Sequence, residues 1–460
     1  MATRQIISKS INVASGDYIG RDGELWVDTV TNTMKISDGV TAGGATLTTD
    51  GGAGAVTYAA ITNINNGSGP EKVAIGTSAG FTTQGIYSVA LGTGAGSNTQ
   101  GTFAVAIGAT AGQTTQSQYG IAIGNDAGND TQGASSVAIG NSAGKTDQAA
   151  NAVAIGIEAG KTNQAMGGVS IGELTGVTNQ GSSSIAIGYK SGFSEQSTQA
   201  VAIGKIAGEI SQGASGVAIG EFTGRTNQGG AAIAIGQLAG NNTQGSTAVA
   251  IGSYAGQTTQ GNEATAVGDS AGKTNQGASA VAVGNAAGET TQGTSAVAVG
   301  VEAGKTTQKG LAVAVGYRAG YTTQGIGAVA IGHDTGKTTQ GNSAVAVGPY
   351  AGEANQATTA VAVGVEAGKT TQGSAAVAIG RQAGEVTQGG SAVAIGAIAG
   401  QTNQAANSIV INATGAALNN IVEDVFIVKP VRGVAGATLP AGFKQVAYNP
   451  TTGEFIYYDM

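Results

Sequence analysis

Val281-Ala282-Val283-Gly284-Asn285-Ala286-Ala287-Gly288-Glu289-Thr290-Thr291-Gln292-Gly293-Thr294-Ser295-Ala296 is one turn of a pattern that fills most of the chain. The same unit, Val-Ala-Ile-Gly-x-x-Ala-Gly-x-Thr-Thr-Gln-Gly-x-x-Ala, returns every 16 residues. Gly76 to Gly396 in steps of 16 marks 21 units without an insertion or deletion. A second Gly column, Gly80 to Gly400, and a Gln column, Gln84 to Gln404, are filled in every unit. So strict a register makes each unit one equal structural step. Sixteen residues are too few for a helix pair with its turns. β-Branched residues two apart, with Gly every four or five residues, read instead as short strands joined by tight turns. The predicted fold is all-β, a parallel β-solenoid or β-roll of 21 sixteen-residue coils. At ~4.8 Å per stacked strand the rod is roughly 100 Å long.

The variable positions test this reading independently. Residues 16 apart become lateral neighbours when coils stack in register, and like charges should then avoid each other. One column reads Lys273, Glu289, Lys305 and later Lys337, Glu353, Lys369, Glu385. Another reads Glu302, Arg318, Asp334, and Glu209 with Arg225 and Lys205 with Glu221 add two more pairs. Nine adjacent charged neighbours are opposite in sign and one pair, Lys145 with Lys161, is alike. Random placement would give similar numbers of each, so the charges favour in-register stacking.

Within the Val-Ala-Ile strand the first and third residues share one face, and Leu91 and Thr265 are the mild departures. The residue between them is Ala in 20 of 21 units, with Ser170 the exception. A solvent-facing column would drift among Thr, Ser, Lys and Glu. A column held at Ala implies close approach of another surface, so the strand reads as apolar on both faces. A coil this short looks too thin to supply two inner layers. The expectation is a homotrimer, with identical chains packed across a narrow Ala seam; a lone chain wrapping its own second layer is the alternative. The Gln column reads as a stacked amide ladder. Ice binding through the Thr-Thr pair is set aside, because adjacent Thr should point to opposite faces and Ile210, Ala354 and Val386 interrupt the first column. The calcium-binding nonapeptide roll needs an Asp column, and the repeat has none.

Composition narrows the function classes. Gly supplies 81 of 460 residues, against a usual ~7 %. There is no Cys and a single His, His333, which leaves no disulfide, thiolate site or His-based metal cluster to expect. A net charge of -7 argues against a nucleic-acid binder. No apolar run is long enough for a membrane-spanning helix, and no secretory signal is read at Met1. Catalysis on a rod requires paired carboxylates within ~5–10 Å, and acids at a shared position such as Glu158, Glu302 and Glu366 lie several coils apart. The expectation is no enzyme, no cofactor and no metal. His333 reads as an exposed surface residue. Aromatic residues at variable positions, Tyr189, Phe222, Tyr254, Tyr317, Tyr321 and Tyr350, could stack on sugars or anchor a protein. Of these Tyr254, Tyr317, Tyr321 and Tyr350 are the receptor-binding candidates, beside the plainer reading of ordinary variation at exposed turns.

The ends depart from the repeat. Residues 1–70 read as a small β-rich module with hairpin turns near Thr31-Asn32-Thr33, followed by the linker Gly51-Gly52-Ala53-Gly54. Residues 71–406 are the repeat shaft. Residues 407–460 form a C-terminal cap or tip, beginning where Asn412 replaces the columnar Gly. Open solenoid ends need such caps.

Gly20-Arg21-Asp22-Gly23-Glu24-Leu25-Trp26-Val27-Asp28, with Asp38-Gly39 and Gly43-Gly44 after it, resembles the N-terminal module of phage tail-fibre and tropism-determinant proteins. Lys429-Pro430-Val431-Arg432 and Tyr448-Asn449-Pro450-Thr451-Thr452-Gly453-Glu454 resemble a segment near the C-terminus of many phage fibres. In that family the segment often precedes a chaperone that is cleaved away, so either removal or a member lacking one is expected. The Val-Ala-Ile-Gly units resemble the head repeats of trimeric bacterial adhesins, which form trimeric parallel β-rolls. Those adhesins carry a secretion signal and a membrane anchor that this sequence is not expected to hold. The resemblances imply a virion-located fibre with three kinds of partner: itself, another virion protein bound through the N-terminal module, and a host-surface receptor such as a glycan. The alternatives are an adhesin head of cellular origin and a polysaccharide-degrading tailspike.

Overall fold

A computed structural model describes residues 71–430 in full and, outside them, the backbone of five strands. The described fold is all-β, a parallel solenoid of about 22 coils at 16-residue spacing, with no helix among the described residues. Each coil contributes two short strands. The first is the Val-Ala-Ile segment, from Val73–Ile75 to Val393–Ile395. Each lies parallel to the strand 16 residues on, so Ala122 sits between Ala106 and Ala138. The second strand ends on Gln, as in Thr83–Gln84 and Thr402–Gln404, and Gln pairs with Gln throughout. Lone bridges through Gln260 and Gln276 join the two runs of this second sheet into one wall.

Two corners connect the walls, and each turns on a left-handed residue. In one coil these are Asp126, with φ of 54°, and Ser135, with φ of 57°. The two invariant Gly columns answer to different contacts. A Cβ on Gly92, whose φ is 124°, would fall 2.6 Å from the carbonyl oxygen of Gly108 one coil on. A Cβ on Gly96, with φ of 52°, would fall 2.9 Å from the side chain of Gln100 in its own coil. The first column lets coils stack and the second lets the walls close.

The interior reverses one expectation. The Ala column of the first sheet does not face a neighbouring chain. Ala90, Ala106, Ala122 and their counterparts are fully buried inside their own coil. They pack against a second Ala column at Ala95, Ala111 and Ala127, and a third set at Ala104 and Ala152 and the Gln column are buried in the same coils. The coil does supply its own second layer, because the second wall lies close enough for three methyl groups and one amide to fill the space. The interior left between the Ala methyls and the Gln amides is full, and the Val/Ile columns on the other face of the strand point outward. Ile107 is 36 % exposed and Ile331 40 %. The Thr-Thr pair also differs from expectation: Thr290 and Thr291 are both exposed. The second strand is too short, at two or three residues, to impose a clean alternation on them.

Past the last repeat the first sheet gains two more parallel strands, Ile409–Asn412 and Phe426–Lys429. Larger residues close the core here: Val410 takes the place of Ala, and Leu418 packs beside Ala399. Asn412 donates to the carbonyls of Ala397 and Ala416 at 2.9 and 2.7 Å. Of the end segments, Leu25–Asp28 pairs antiparallel with Thr33–Ile36, which pairs with Ala45–Thr46. Gln445–Asn449 and Glu454–Tyr458 form an antiparallel pair. The other residues of 1–70 and of 431–460 lie outside the described residues, the linker and most of the quoted fibre-like motifs among them.

Candidate functional site

Three features of the rod could do more than hold it together: the amide ladder, the charged corner and the aromatic clusters. The ladder is as expected. Every Gln from Gln100 onward donates its Nε2 to the Oε1 of the Gln one coil on, at 2.9–3.3 Å, in an unbroken run to Gln404. The same nitrogen also donates to the carbonyl of the first residue of its own Val-Ala-Ile strand, as from Gln276 to Thr265 at 2.8 Å. The amide therefore ties coil to coil and wall to wall. Buried and saturated, these Gln side chains have nothing to offer a ligand. Gln100 Oε1, at the start of the ladder, is buried without a partner.

The corner after the Val-Ala-Ile strand carries most of the charge. Lys205–Glu221 at 3.0 Å, Arg225–Glu209 at 2.7 Å, Arg318–Asp334 at 3.3 Å and Lys337–Glu353 at 3.9 Å are the column pairs read from the sequence. The structure adds pairs inside one coil, three residues apart: Lys305–Glu302 at 2.6 Å and Lys369–Glu366 at 2.8 Å. Lys305 also reaches Glu289 at 3.7 Å, so one ammonium links two carboxylates from neighbouring columns. Its hydrogen bond to Glu302 is the main reason its pKa is raised. Glu366 is lowered by the Lys369 hydrogen bond, and Glu221 by that of Lys205. Asp126 is lowered chiefly by the hydroxyl of Thr110 and then by Lys145. Carboxylates neutralised in this way are held ionised, the reverse of what a general acid needs. Among the described residues no group of three or more His, Asp or Glu is placed to hold a metal ion, and no helix is long and apolar enough to cross a membrane.

The four Tyr candidates do not form one site. Tyr317 stacks on His333, with ring centroids 5.2 Å apart, and His333 meets Tyr350 edge-on at 5.1 Å. The Arg318 guanidinium lies 4.6 Å from the Tyr317 ring centre, and Lys369 Nζ lies 5.5 Å from that of Tyr350. Tyr321 stands on the next column with Lys305 at 5.4 Å, and Tyr254 lies four coils away under Lys273 at 5.2 Å. His333 is exposed as expected, yet it is the ring that joins two of the candidates. That link was open to sequence reasoning, since Tyr317 precedes His333 by one period. Beneath the cluster Asp334 is only 5 % exposed and meets Arg318, Lys337 and His333. The ring faces of Tyr317 and Tyr350 are thus partly occupied by neighbouring side chains.

The broadest uncommitted surface is the outward face of the first sheet. Its two Val/Ile columns run the length of the rod, half-buried or exposed in every coil. Comparison with protein-family models, with curated proteins and with solved structures finds no match for this chain.

Proposed function

We propose that this chain is a structural fibre or spike protein of a phage particle, a homotrimer that holds a host-attachment surface away from the virion. The observation that carries the reading is the uninterrupted Val/Ile face. Soluble monomers rarely expose contiguous apolar patches above a few hundred Å². If each coil offers on the order of 100 Å², the face amounts to about 2,000 Å² per chain, above the ~800 Å² per partner of a standard interface. Three copies turning this face to a common axis would bury it and leave the polar Thr-Gln wall in water. The resemblance of Gly20–Asp28 to virion modules supports a reading in which the N-terminal part sits at the particle and the far end meets the host. The salt-bridged carboxylates favour a spacer and attachment role over a tailspike hydrolase.

The test is competition. Purified full-length protein added to susceptible cells should slow adsorption of the parent phage, and antibody raised against the chain should decorate its particles in electron micrographs. Absence of the protein from purified particles would contradict the reading. Retention of the chain on a bacterial cell surface would point instead to the adhesin-head alternative.

A further inference from the structure

Bulky side chains stand at left-handed corners in several places along the rod, as at Ile206, Phe222 and Tyr254; in one column they fall in three successive coils at its start. The corner preceding the Val-Ala-Ile strand turns on a left-handed residue in nearly every coil, and most coils fill it with Ser, Asn, Gly, Thr or Ala, as at Ser135, Asn151, Gly167 and Ser183. The first three coils hold Tyr87, Phe103 and Tyr119 instead, with φ of 58°, 59° and 59°. Bulky side chains there are conformationally costly. They also stay wet: their exposures are 52 %, 44 % and 52 %. The rings stack on each other, at 5.1 Å between Tyr87 and Phe103 and 5.3 Å between Phe103 and Tyr119, but that leaves their outer edges uncovered. Strain combined with an exposed apolar patch calls for something that offsets both.

The ladder lies beside the Val/Ile face, since Tyr87 and Phe103 stand two residues before Val89 and Val105. The opposite rim of that face, the residue after the columnar Gly, is small and exposed in the same coils and the next one: Thr77, Thr93, Ala109 and Asn125. When parallel copies are related by rotation about an axis along the rod, each rim meets the opposite rim of its neighbour. We infer that Tyr87, Phe103 and Tyr119 form an aromatic staple that closes over the Thr77–Asn125 rim of a second copy of this chain. The staple rests on the trimeric reading above and fixes its register at the N-terminal end of the shaft. Elsewhere this column is mostly small, so the staple sets one end of the assembly apart from a uniform surface that would otherwise tolerate a slip of one coil.

The chain has no Cys, so engineered disulfides report the contact cleanly. Within one chain the two rims are too far apart to bridge. Tyr87 precedes Thr93 by six residues of mostly extended backbone, roughly 15–20 Å against the ~7 Å Cα limit of a disulfide. Phe103→Cys is combined in turn with Thr77→Cys, Thr93→Cys, Ala109→Cys and Asn125→Cys in the full-length protein. Under mild oxidation one or two adjacent rungs should give covalent multimers on a non-reducing gel. Free thiols in all four, in samples whose native mass remains near three times 44.3 kDa, would overturn the staple and leave the trimer standing. A wild-type native mass of 44.3 kDa would overturn both. A second readout avoids the cysteines. Tyr87→Ser/Phe103→Ser/Tyr119→Ser, which restores the residue common in this column, should dissociate on dilution at a concentration at least tenfold higher than wild type. An unchanged dissociation concentration would overturn the staple.

Discussion

The two walls of the coil share a period, a parallel register and an interior, yet they present opposite chemistry outward. On the first wall the inward residue is Ala and the outward ones are Val or Ile; on the second the inward residue is Gln and the outward ones are Thr or Asn. In so thin a solenoid, shape and hydrogen bonding, rather than hydrophobicity, decide what goes inside: Gln is the largest fully buried side chain and enters because its amide is bonded from coil to coil, while Val and Ile stay out. Three methyl groups per coil remove little apolar surface, on the order of 2–3 kcal/mol. The stacked backbone and the amide ladder must therefore do much of the holding, and the larger apolar side chains are left for another surface.

The sharpest way to break this contrast is to enlarge the inside. Ala298 is fully buried, and even a Cβ placed on Gly304 would come within 3.3 Å of its methyl. Ala298→Leu should lower the denaturant midpoint strongly, by an overpacking cost of about 3 kcal/mol or more. Thr307→Val, on the outward side of the second wall, should stay within about 0.5 kcal/mol of wild type. Equal effects would mean that the inside has been misplaced.

Cutting the ladder comes next. Gln276→Leu leaves the amide of Gln260 and that of Gln292 each short of a partner and strands the Thr265 carbonyl. Buried groups left unsatisfied cost about 1–3 kcal/mol each. The midpoint should fall clearly, whereas Thr290→Val on an exposed neighbouring position should not move it. Hydrogen exchange would place the loss at the coils around Gln276.

These outcomes bear on what was legible beforehand. Period, strand positions, Gln ladder and charge columns all follow from residues 16 apart, because in-register stacking makes sequence columns into spatial neighbours. Which face of the strand is inner does not follow from alternation. Alternation puts Val89 and Ala90 on opposite faces, as the structure has them, but the inner one depends on how near the second wall lies. That distance is set by Gly96 meeting Gln100 and by the left-handed corners; the Gly and Gln columns are visible in the sequence, but the contact between them is not. The Tyr317–His333 stack was readable from one column; Tyr350 follows Pro349, one period after His333, but that its ring turns back onto His333 rather than away is a matter of side-chain direction that spacing does not give.

The smallest effect expected is electrostatic. Asp126 and Glu366 have folded pKa values below their ordinary ones of 3.8 and 4.5. Their contribution is fully present above those ordinary values and is lost as pH falls through the lower folded ones. Lys305 and Lys369 are raised above 10.5, so their share is complete below that pH and is lost as pH rises through the folded values. Thermal midpoints should therefore be flat between about pH 5 and 10 and decline modestly outside that range, less so at high salt. A steep change inside that range would contradict this assignment.

The claim beneath all of this is that one chain builds its own Ala–Gln core and turns its Val/Ile face to other copies. Sedimentation equilibrium on the full-length protein tests it most directly, run beside a variant carrying Ile331→Lys, Val347→Lys and Val363→Lys on that face. The account predicts a wild-type mass near three times 44.3 kDa, falling toward 44.3 kDa in the variant with its β-sheet circular dichroism retained. A wild-type mass of 44.3 kDa, or a variant that unfolds rather than dissociates, would contradict it.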